Sequence, residues 1–391
     1  MTALAARIDS VLADAVESGK LAGVAATVAD RGGPVYRGAF GKRDVADGTP
    51  MTPDTIFWIA SMTKAITSVA ALQMVERGLV TLDEPLGRLE PDLGSLQILE
   101  GFNPDGSARL RPATRPVTLR LLLTHTSGMV YDTWNANLNR YMKTTGIPPL
   151  GERKNATLRV PLGFEPGERW EYGIGIDWAG KLVERLSGQA LDEYIRQNIC
   201  APLGMMDTGF DPRAGDSERT ASTYQRQPDG TLRLIRIGQA KAPEFYMGGG
   251  GLFSTADDYL LFLRALLNGG TLNGVRILNE DTVAEANRNQ IGDLKVNVLL
   301  SDVPERSNNA DLLPGIVNKW GLAYMLNTQP VPGGRSAGSL AWAGIRNTYY
   351  WLDPAAGLAA VFMTQVMPFA DPTCLQVLGA MERAIYRSDG A

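Results

Sequence analysis

Two residue types that can together make a nucleophile stand three positions apart in this chain. Ser61 and Lys64 lie at the start of a run of small and apolar residues that reaches Leu72. Positions i and i+3 of a helix share one face, so the Lys64 amine can reach the Ser61 hydroxyl. A serine hydroxyl is a weak nucleophile without a nearby base, and burial lowers the pKa of a lysine toward that role. The pair predicts a nucleophile with its own base, although a helix start with an exposed lysine has the same pattern.

The bulk composition is that of a soluble globular protein and argues against several classes. The 391 residues are 44% hydrophobic and 20% charged, with a formal net charge of −4, which suits one large domain or two that share a core. No basic cluster supports nucleic-acid binding. Cys200 and Cys374 are the only cysteines and His125 is the only histidine. A disulfide framework and a zinc site are therefore disfavoured.

Neither a membrane span nor a signal peptide is apparent. The sequence has no run of about 18 apolar residues, the minimum for a membrane-spanning helix. Its first residues are interrupted by Asp9, Asp14 and Glu17, which is typical of an amphipathic helix and not of a signal peptide. The sequence therefore predicts a cytoplasmic protein without membrane contact, and it leaves the oligomeric state open.

Strand patterns occur at both ends of the chain and helical patterns in its middle. Strands are predicted over residues 24–29, 35–40, 339–344, 347–352 and 358–364. Helices are predicted over residues 3–18, 61–77, 119–123, 175–187, 191–198, 258–268 and 373–386, the one at 258 preceded by a capping box. The run Gly248 to Gly251 lacks the Gly-Lys-Ser/Thr of a phosphate loop, and it predicts a close approach of backbones.

These elements predict an α+β fold with an antiparallel sheet built from both termini. Helices flank the sheet, and a mainly helical, loop-rich region is inserted between its two halves. We expect one domain from residues 1–84 and 246–391, a second from residues 85–245, and an active site between them.

Four motifs that follow one another along the chain resemble those of the serine β-lactamase-like superfamily. They are Ser61-Met62-Thr63-Lys64, the segment 121–128 with His-Thr-Ser-Gly, Glu165-Pro166-Gly167 followed by Glu171-Tyr172, and Trp342-Ala343-Gly344. More narrowly, the chain resembles the bacterial family VIII carboxylesterases, which are related to class C β-lactamases and D,D-peptidases. The resemblance spans nearly the whole chain, and four ordered motifs are more specific than any one of them.

The resemblance implies a role for each of four residues. Ser61 is the nucleophile, Lys64 its base partner, and Tyr172 the tyrosine that shuttles protons. A neighbouring ammonium is expected to bring the pKa of the Tyr172 phenol toward neutrality, so that Lys64 and Tyr172 titrate as a pair. The backbone N–H groups of Ser61 and Ile345 would form the oxyanion hole. No cofactor and no metal are implied.

Two departures from the lactamase pattern bear on the substrate. Class C enzymes carry an asparagine two residues after the tyrosine and Lys-Thr-Gly on the strand beside the site. Here Ile174 stands at the first position and Trp342, Ala343 and Gly344 at the second. The missing amide and ammonium would orient a carboxylated lactam, whereas apolar side chains suit an uncharged ester. These residues are the predicted substrate pocket.

His125 must be considered for a Ser-His-Asp arrangement because it is the only histidine. The chain has no Gly-x-Ser-x-Gly elbow, and in the resembling family this segment is structural. We therefore expect a hydrogen-bonded structural histidine. Trp134, Trp170 and Trp178 are predicted to belong to the core or to a pocket wall.

The sequence favours a serine hydrolase that cleaves small carboxylic esters through an acyl-enzyme. Three alternatives stay open at this point: a β-lactamase or D-amino-acid peptidase, an acyltransferase on the same scaffold, and a non-catalytic binding protein. Weak β-lactam cleavage is compatible with an esterase as a side activity. The natural ester, its acyl length and its stereochemistry are not encoded in any motif.

Overall fold

The computed structural model describes residues 2–210, 216–236 and 242–387, which form the strands and helices that follow. The strands are β1 Gly23–Asp30, β2 Pro34–Gly41, β3 Phe57–Trp58, β4 Gln97–Phe102, β5 Ala108–Pro112, β6 Thr223–Arg226, β7 Leu232–Ile235, β8 Phe253–Ser254, β9 Thr271–Leu272, β10 Val275–Arg276, β11 Asn318–Trp320, β12 Met325–Asn327, β13 Leu340–Gly344, β14 Thr348–Asp353, β15 Leu358–Met363 and β16 Val366–Met367. The helices are α1 Ala3–Glu17, α2 Thr63–Glu76, α3 Leu119–Leu123, α4 Ala136–Thr145, α5 Asn155–Leu158, α6 Gly175–Ser187, α7 Leu191–Ile195, α8 Ala201–Leu203, α9 Ala256–Leu267, α10 Glu280–Ala286 and α11 Pro372–Tyr386.

A seven-stranded antiparallel sheet is built from both ends of the chain, as predicted. Its strand order is β11-β12-β13-β14-β15-β1-β2, so the N-terminal hairpin β1-β2 completes a sheet that the C-terminal strands begin. The register pairs Ala26 with Phe362 between β1 and β15, and Trp342 with Tyr350 between β13 and β14. The α+β fold and the predicted terminal strands are confirmed.

The strands at the middle of the sheet are buried along nearly their whole length. All residues of β13 and β14 are buried, and so are all of β1 except Asp30. Helices account for this, because α9 packs on β1 and β15, while α1 packs on β2 and α11. Strands covered on both faces appear in a sequence as continuous apolar runs, which is why these strands were recognisable.

Helix α2 runs through the protein interior. Every residue from Thr63 to Met74 is buried, and the helix packs against α6 and α7. A helix that is buried on all sides needs no polar face, and its sequence of small and apolar residues fits this position. The first turn of α2 therefore places any side chain that it carries deep in the protein.

The region between residues 85 and 245 contains two hairpins that the sequence did not predict. β4 pairs with β5 and β6 with β7, both antiparallel, and β16 lies parallel to β6. β5 has the sequence Ala-Arg-Leu-Arg-Pro and is largely exposed, so it lacks the apolar alternation that marks a half-buried strand. The predicted helices at 119–123 and 175–187 are confirmed, and the one at 191–198 continues through a π-helical turn, Arg196–Cys200, into α8.

Helix α9 begins two residues earlier than predicted. The hydroxyl oxygen of Thr255 accepts a hydrogen bond from the Asp258 N–H at 3.1 Å, so Thr255 is the N-cap and the helix begins at Ala256, not at Asp258.

Among the described residues, no helix combines the length and the apolar character that crossing a bilayer requires. The division into domains at residues 84 and 246 and the cytoplasmic location stay predictions.

Candidate active site

Ser61 lies in a single tight helical turn, Ala60–Met62, that leads directly into α2. Ala60 has a φ of +45°, a left-handed conformation that costs an L-residue about 1–2 kcal/mol. Strand β13 supports this corner closely, because a Cβ atom on Gly344 would lie only 2.3 Å from the carbonyl oxygen of Ile59. Only glycine permits that approach. The nucleophile candidate is thus presented on a strained corner between α2 and the sheet.

The Lys64 amine is buried and surrounded by oxygen atoms. Its Nζ donates to Ser61 Oγ at 3.2 Å, to the Tyr131 hydroxyl at 2.9 Å and to the Gly249 carbonyl at 2.5 Å. Burial lowers the pKa of Lys64 to about 7, and the nearby Asp177 carboxylate opposes part of that change. The predicted contact with Ser61 and the predicted fall in the pKa are both confirmed. Near neutral pH, a large fraction of Lys64 is a free amine beside a serine hydroxyl.

The Tyr172 hydroxyl faces the same serine, but its predicted titration is wrong. Burial raises the pKa of Tyr172 above its ordinary value, while hydrogen bonds with Ser61 and Trp342 oppose the rise. The Lys64 Nζ lies over the aromatic face of Tyr172, 4.7 Å from the centre of the ring. Because burial has the largest effect, the pKa of Tyr172 does not fall toward neutrality, and the phenol stays protonated at physiological pH.

Tyr131 belongs to the cluster and was missed in the sequence. Besides the contact with Lys64, its N–H donates to the Tyr172 carbonyl at 3.3 Å, and the two tyrosine rings lie 5.1 Å apart. Burial raises the pKa of Tyr131 well above its ordinary value, so it also stays a neutral phenol. No spacing rule links it to Lys64, and its position three residues after the His-Thr-Ser-Gly segment is the only local signal.

Trp342 has two roles in this arrangement. Its indole N–H donates to the Tyr172 hydroxyl at 3.0 Å, and its side chain also lines a cavity of about 260 Å³ together with Val296, Leu312 and Met325. The sequence predicted only the pocket-wall role. The indole N–H leaves the Tyr172 hydrogen free for donation, because it occupies a lone pair of the phenol oxygen.

The other predicted pocket and oxyanion residues occupy different positions. Ala343 and Gly344 are buried residues of β13, and Ile345, partly buried, begins the turn that follows. Ile174 is buried at the start of α6 and does not belong to the lining of the cavity beside Trp342.

His125 packs against Tyr172 and accepts a hydrogen bond from the backbone. Its Nδ1 accepts from the Gly173 N–H at 3.4 Å, and its ring meets those of Tyr172 and Trp320 edge-on at 4.7 and 4.9 Å. Burial lowers the pKa of His125 well below its ordinary value, and the nearby Lys64 adds to this. The neutral imidazole supports the Tyr172 segment, and the predicted structural role of His125 agrees with these contacts. Trp170 packs against the same ring, at 6.2 Å.

The family profile for beta-lactamases matches residues 8–377 of this chain. The chain belongs to the beta-lactamase family. The predicted superfamily is thereby confirmed, and the beta-lactamase-like fold with it. Ser61, Lys64 and Tyr172 therefore lie on a scaffold that supports serine-hydrolase and acyl-transfer chemistry.

Proteins similar to this chain include a transferase, an esterase and a synthase. The chain is 34% identical to the monacolin J acid methylbutanoyltransferase of Aspergillus terreus, over 97% of this chain and 95% of that protein. It is 30% identical to the lovastatin esterase of Penicillium rubens, over 98% of this chain and 99% of that protein. The unliganded simvastatin synthase of Aspergillus terreus superposes with a TM-score of 0.84 at 32% identity, over 99% of this chain and 98% of that chain.

Proposed function

We propose that this protein is a serine hydrolase of the family VIII carboxylesterase type that cleaves small carboxylic esters through an acyl-enzyme on Ser61. One observation carries the proposal: a buried lysine with a pKa of about 7 donates to Ser61 Oγ at 3.2 Å. A general base is most effective when its pKa lies near the working pH. An exposed lysine could not meet that requirement, because its pKa would lie near its ordinary value of about 10.4.

In acylation, the neutral Lys64 amine takes the proton of Ser61 while Oγ attacks the ester carbonyl carbon. The negative charge that develops on the carbonyl oxygen is stabilised by the N–H groups of Ser61 and Ile345. When the bond to the alcohol breaks, Tyr172 donates its hydroxyl hydrogen to the leaving oxygen. The Lys64 ammonium releases its proton to solvent, and solvent returns a proton to Tyr172. Water then repeats these steps on the acyl-serine, and the free acid is released.

An uncharged substrate fits the residues beside Ser61. The cavity that Trp342 lines combines aliphatic side chains such as Leu312 with polar ones such as Lys295 and Asp311, so it can hold hydrocarbon and polar parts of a ligand. The indole supplies no positive charge for a lactam carboxylate, and buried Ile174 supplies no amide. Efficient β-lactam hydrolysis is therefore not proposed.

Acyl transfer to an alcohol is the second candidate. A specific observation favours it, since a relative that is 34% identical over 97% of this chain is named as a methylbutanoyltransferase. Transfer and hydrolysis share the acyl-serine and differ only in the acceptor that attacks it. The buried aromatic residues around Ser61, including Tyr131, Tyr172 and Trp342, would disfavour water and favour an apolar alcohol.

A quenched-reaction experiment tests both candidates. The enzyme is mixed with p-nitrophenyl butyrate, denatured with acid within the first turnovers, and analysed by intact mass and peptide mapping. We expect one added acyl group on Ser61, and none in Ser61→Ala. Absence of any acyl-protein, together with absence of turnover, would favour the non-catalytic reading.

The acceptor is identified by product partition. Turnover is repeated with increasing amounts of a secondary alcohol, and free acid and new ester are quantified. Acid as the main product supports a carboxylesterase. New ester that dominates at millimolar alcohol makes the protein an acyltransferase.

A further inference from the structure

Asp177, in the first turn of α6, is a buried carboxylate that the proposed mechanism does not use. Its side chain is fully buried, and its Oδ1 accepts from the Gly249 N–H at 2.8 Å. Its Oδ2 has no hydrogen-bond partner within the described part of the chain. A buried, incompletely bonded carboxylate costs several kcal/mol unless an opposite charge lies close by. The charge that offsets this cost is Lys64, whose attraction opposes the effect of burial on the pKa of Asp177.

A single glycine connects the carboxylate to the lysine. The Gly249 N–H binds Asp177 at 2.8 Å, while the Gly249 carbonyl accepts from Lys64 Nζ at 2.5 Å. A Cβ atom on residue 249 would lie 2.4 Å from Asp177 Oδ2, so any other residue would push the carboxylate away. The neighbouring Gly248 carbonyl accepts from the Thr67 hydroxyl at 2.8 Å. The glycine run thus makes the close backbone approach that the sequence predicted, and it does so between α2 and α6.

Among the groups around Lys64, Asp177 is the carboxylate whose charge acts on it. Tyr131 and Tyr172 are neutral phenols, because burial raises the pKa of each. His125 is neutral because burial lowers its pKa. Asp132 is the other carboxylate near the cluster, and it is paired with Arg306 at 2.9 Å. The charge of Lys64 therefore depends on Asp177 more than on any of these neighbours.

We propose that Asp177 is a positioning residue that anchors Gly249 against Lys64 and sets the pH at which Lys64 becomes a free base. This inference rests on the proposed function, because it assigns Asp177 a part in the same acylation step. The direction follows from the charges. The carboxylate favours the ammonium form of Lys64, so its removal makes the amine available at lower pH.

Asp177→Asn separates charge from position, because the amide oxygen can still accept from the Gly249 N–H. We expect the acid limb of the kcat/KM profile to move at least about one pH unit toward lower pH, since one unit corresponds to about 1.4 kcal/mol of lost attraction. Asp177→Ala should show the same displacement and also lose about tenfold in plateau kcat/KM, because Gly249 loses its anchor.

Asp258→Asn is the matched control. Asp258 is also a buried carboxylate whose pKa burial raises to about 6, but it accepts from the Asp207 N–H and the Thr208 hydroxyl near the start of α9, away from Lys64. This variant should leave the acid limb in place. A displacement in Asp258→Asn equal to that in Asp177→Asn, or an unmoved acid limb in Asp177→Asn, would overturn the proposal.

A direct titration keeps the test independent of catalysis. The protein is labelled with ¹³Cε-lysine, the Lys64 resonance is assigned with Lys64→Arg, and its pKa is compared between wild type and Asp177→Asn. A lower Lys64 pKa in the variant supports the proposal even if no ester is turned over, which would refute only the proposed function. If neither variant folds, the wild-type resonance should still show two inflections, one from Asp177. A single inflection overturns the proposal.

Discussion

The two sides of Ser61 respond to the same burial in opposite ways. On the α2 side, Lys64 loses the water that would stabilise its charge, and its pKa falls to about 7. On the sheet side, Tyr172 loses the water that would stabilise a phenolate, and its pKa rises. Desolvation favours the neutral form of each group. The amine is therefore the base that accepts a proton, and the phenol remains a proton donor.

The supports of the two groups differ as well. Lys64 is held by oxygen atoms of Ser61, Tyr131 and Gly249, whereas Tyr172 is held by an indole N–H and packed rings. These oxygen atoms can accept hydrogen bonds from the ammonium form of Lys64. The indole donates to Tyr172 and thereby leaves the phenol hydrogen for Ser61 or a leaving group.

The largest effect is expected when the Ser61 hydroxyl, which contacts both Lys64 and Tyr172, is removed. Ser61→Ala should lower kcat for p-nitrophenyl ester hydrolysis by at least about 10,000-fold, because nucleophile removal leaves only binding and oxyanion stabilisation. The thermal midpoint should change little, since the side chain is small and partly exposed. A serine-reactive phosphonate should add its mass to the wild type at Ser61. Retained activity, or labelling of another serine, would contradict the assignment.

Lys64→Ala and Tyr172→Phe test whether Lys64 is the base and Tyr172 the proton donor. Each should cost about 1,000-fold in kcat/KM, within the range for general acid–base catalysis, and the double variant should lose little more than either single one. Their pH profiles should differ. The wild type rises as the pH passes through about 7, where Lys64 loses its proton, and Tyr172→Phe should keep that limb. If the limb vanished in Tyr172→Phe and stayed in Lys64→Ala, the two roles would be reversed.

The substrate preference tests the role of Trp342 beside Tyr172. We expect kcat/KM for a short-chain p-nitrophenyl ester to exceed that for a chromogenic cephalosporin by at least about 100-fold, or roughly 2.7 kcal/mol. Trp342→Lys should narrow this gap, mainly by weakening ester hydrolysis, because Tyr172 loses its indole support. Trp342→Phe keeps an aromatic wall and removes only the N–H, so it is the control. Equal efficiency of the wild type on both substrates would refute the argument from Trp342 and Ile174.

The smallest effect is expected at His125, which touches Tyr172 but not Ser61 in any described contact. His125 has a φ of +57°, a left-handed conformation that asparagine tolerates better than most residues. His125→Asn should therefore fold and keep kcat/KM within about tenfold of the wild type, a loss below about 1.4 kcal/mol. Activity and the thermal midpoint measure this. A folded variant as inactive as Ser61→Ala would indicate a histidine-based mechanism.

The features that could be predicted from the sequence depend on residues close together in the chain. The spacing of Ser61 and Lys64 placed both side chains on one helical face, and the continuous apolar runs of β1 and β13–β15 predicted buried strands at both ends. The exposed strand β5 was missed because charged residues dominate it. Patterns read from neighbouring residues succeed where burial is uniform along an element, and they fail where it is not.

The charges of the site depend on packing between distant parts of the chain. Tyr131 and Gly249 bind Lys64 from distant parts of the chain, Asp177 acts on it through its charge, and no spacing rule links these residues to Lys64. The pKa of Tyr172 rises mainly because its hydroxyl is buried, and only the packing determines that burial. Desolvation and charge act through space over a few ångströms. The reacting residues could therefore be predicted from the sequence, whereas the protonation state of each depends on the fold.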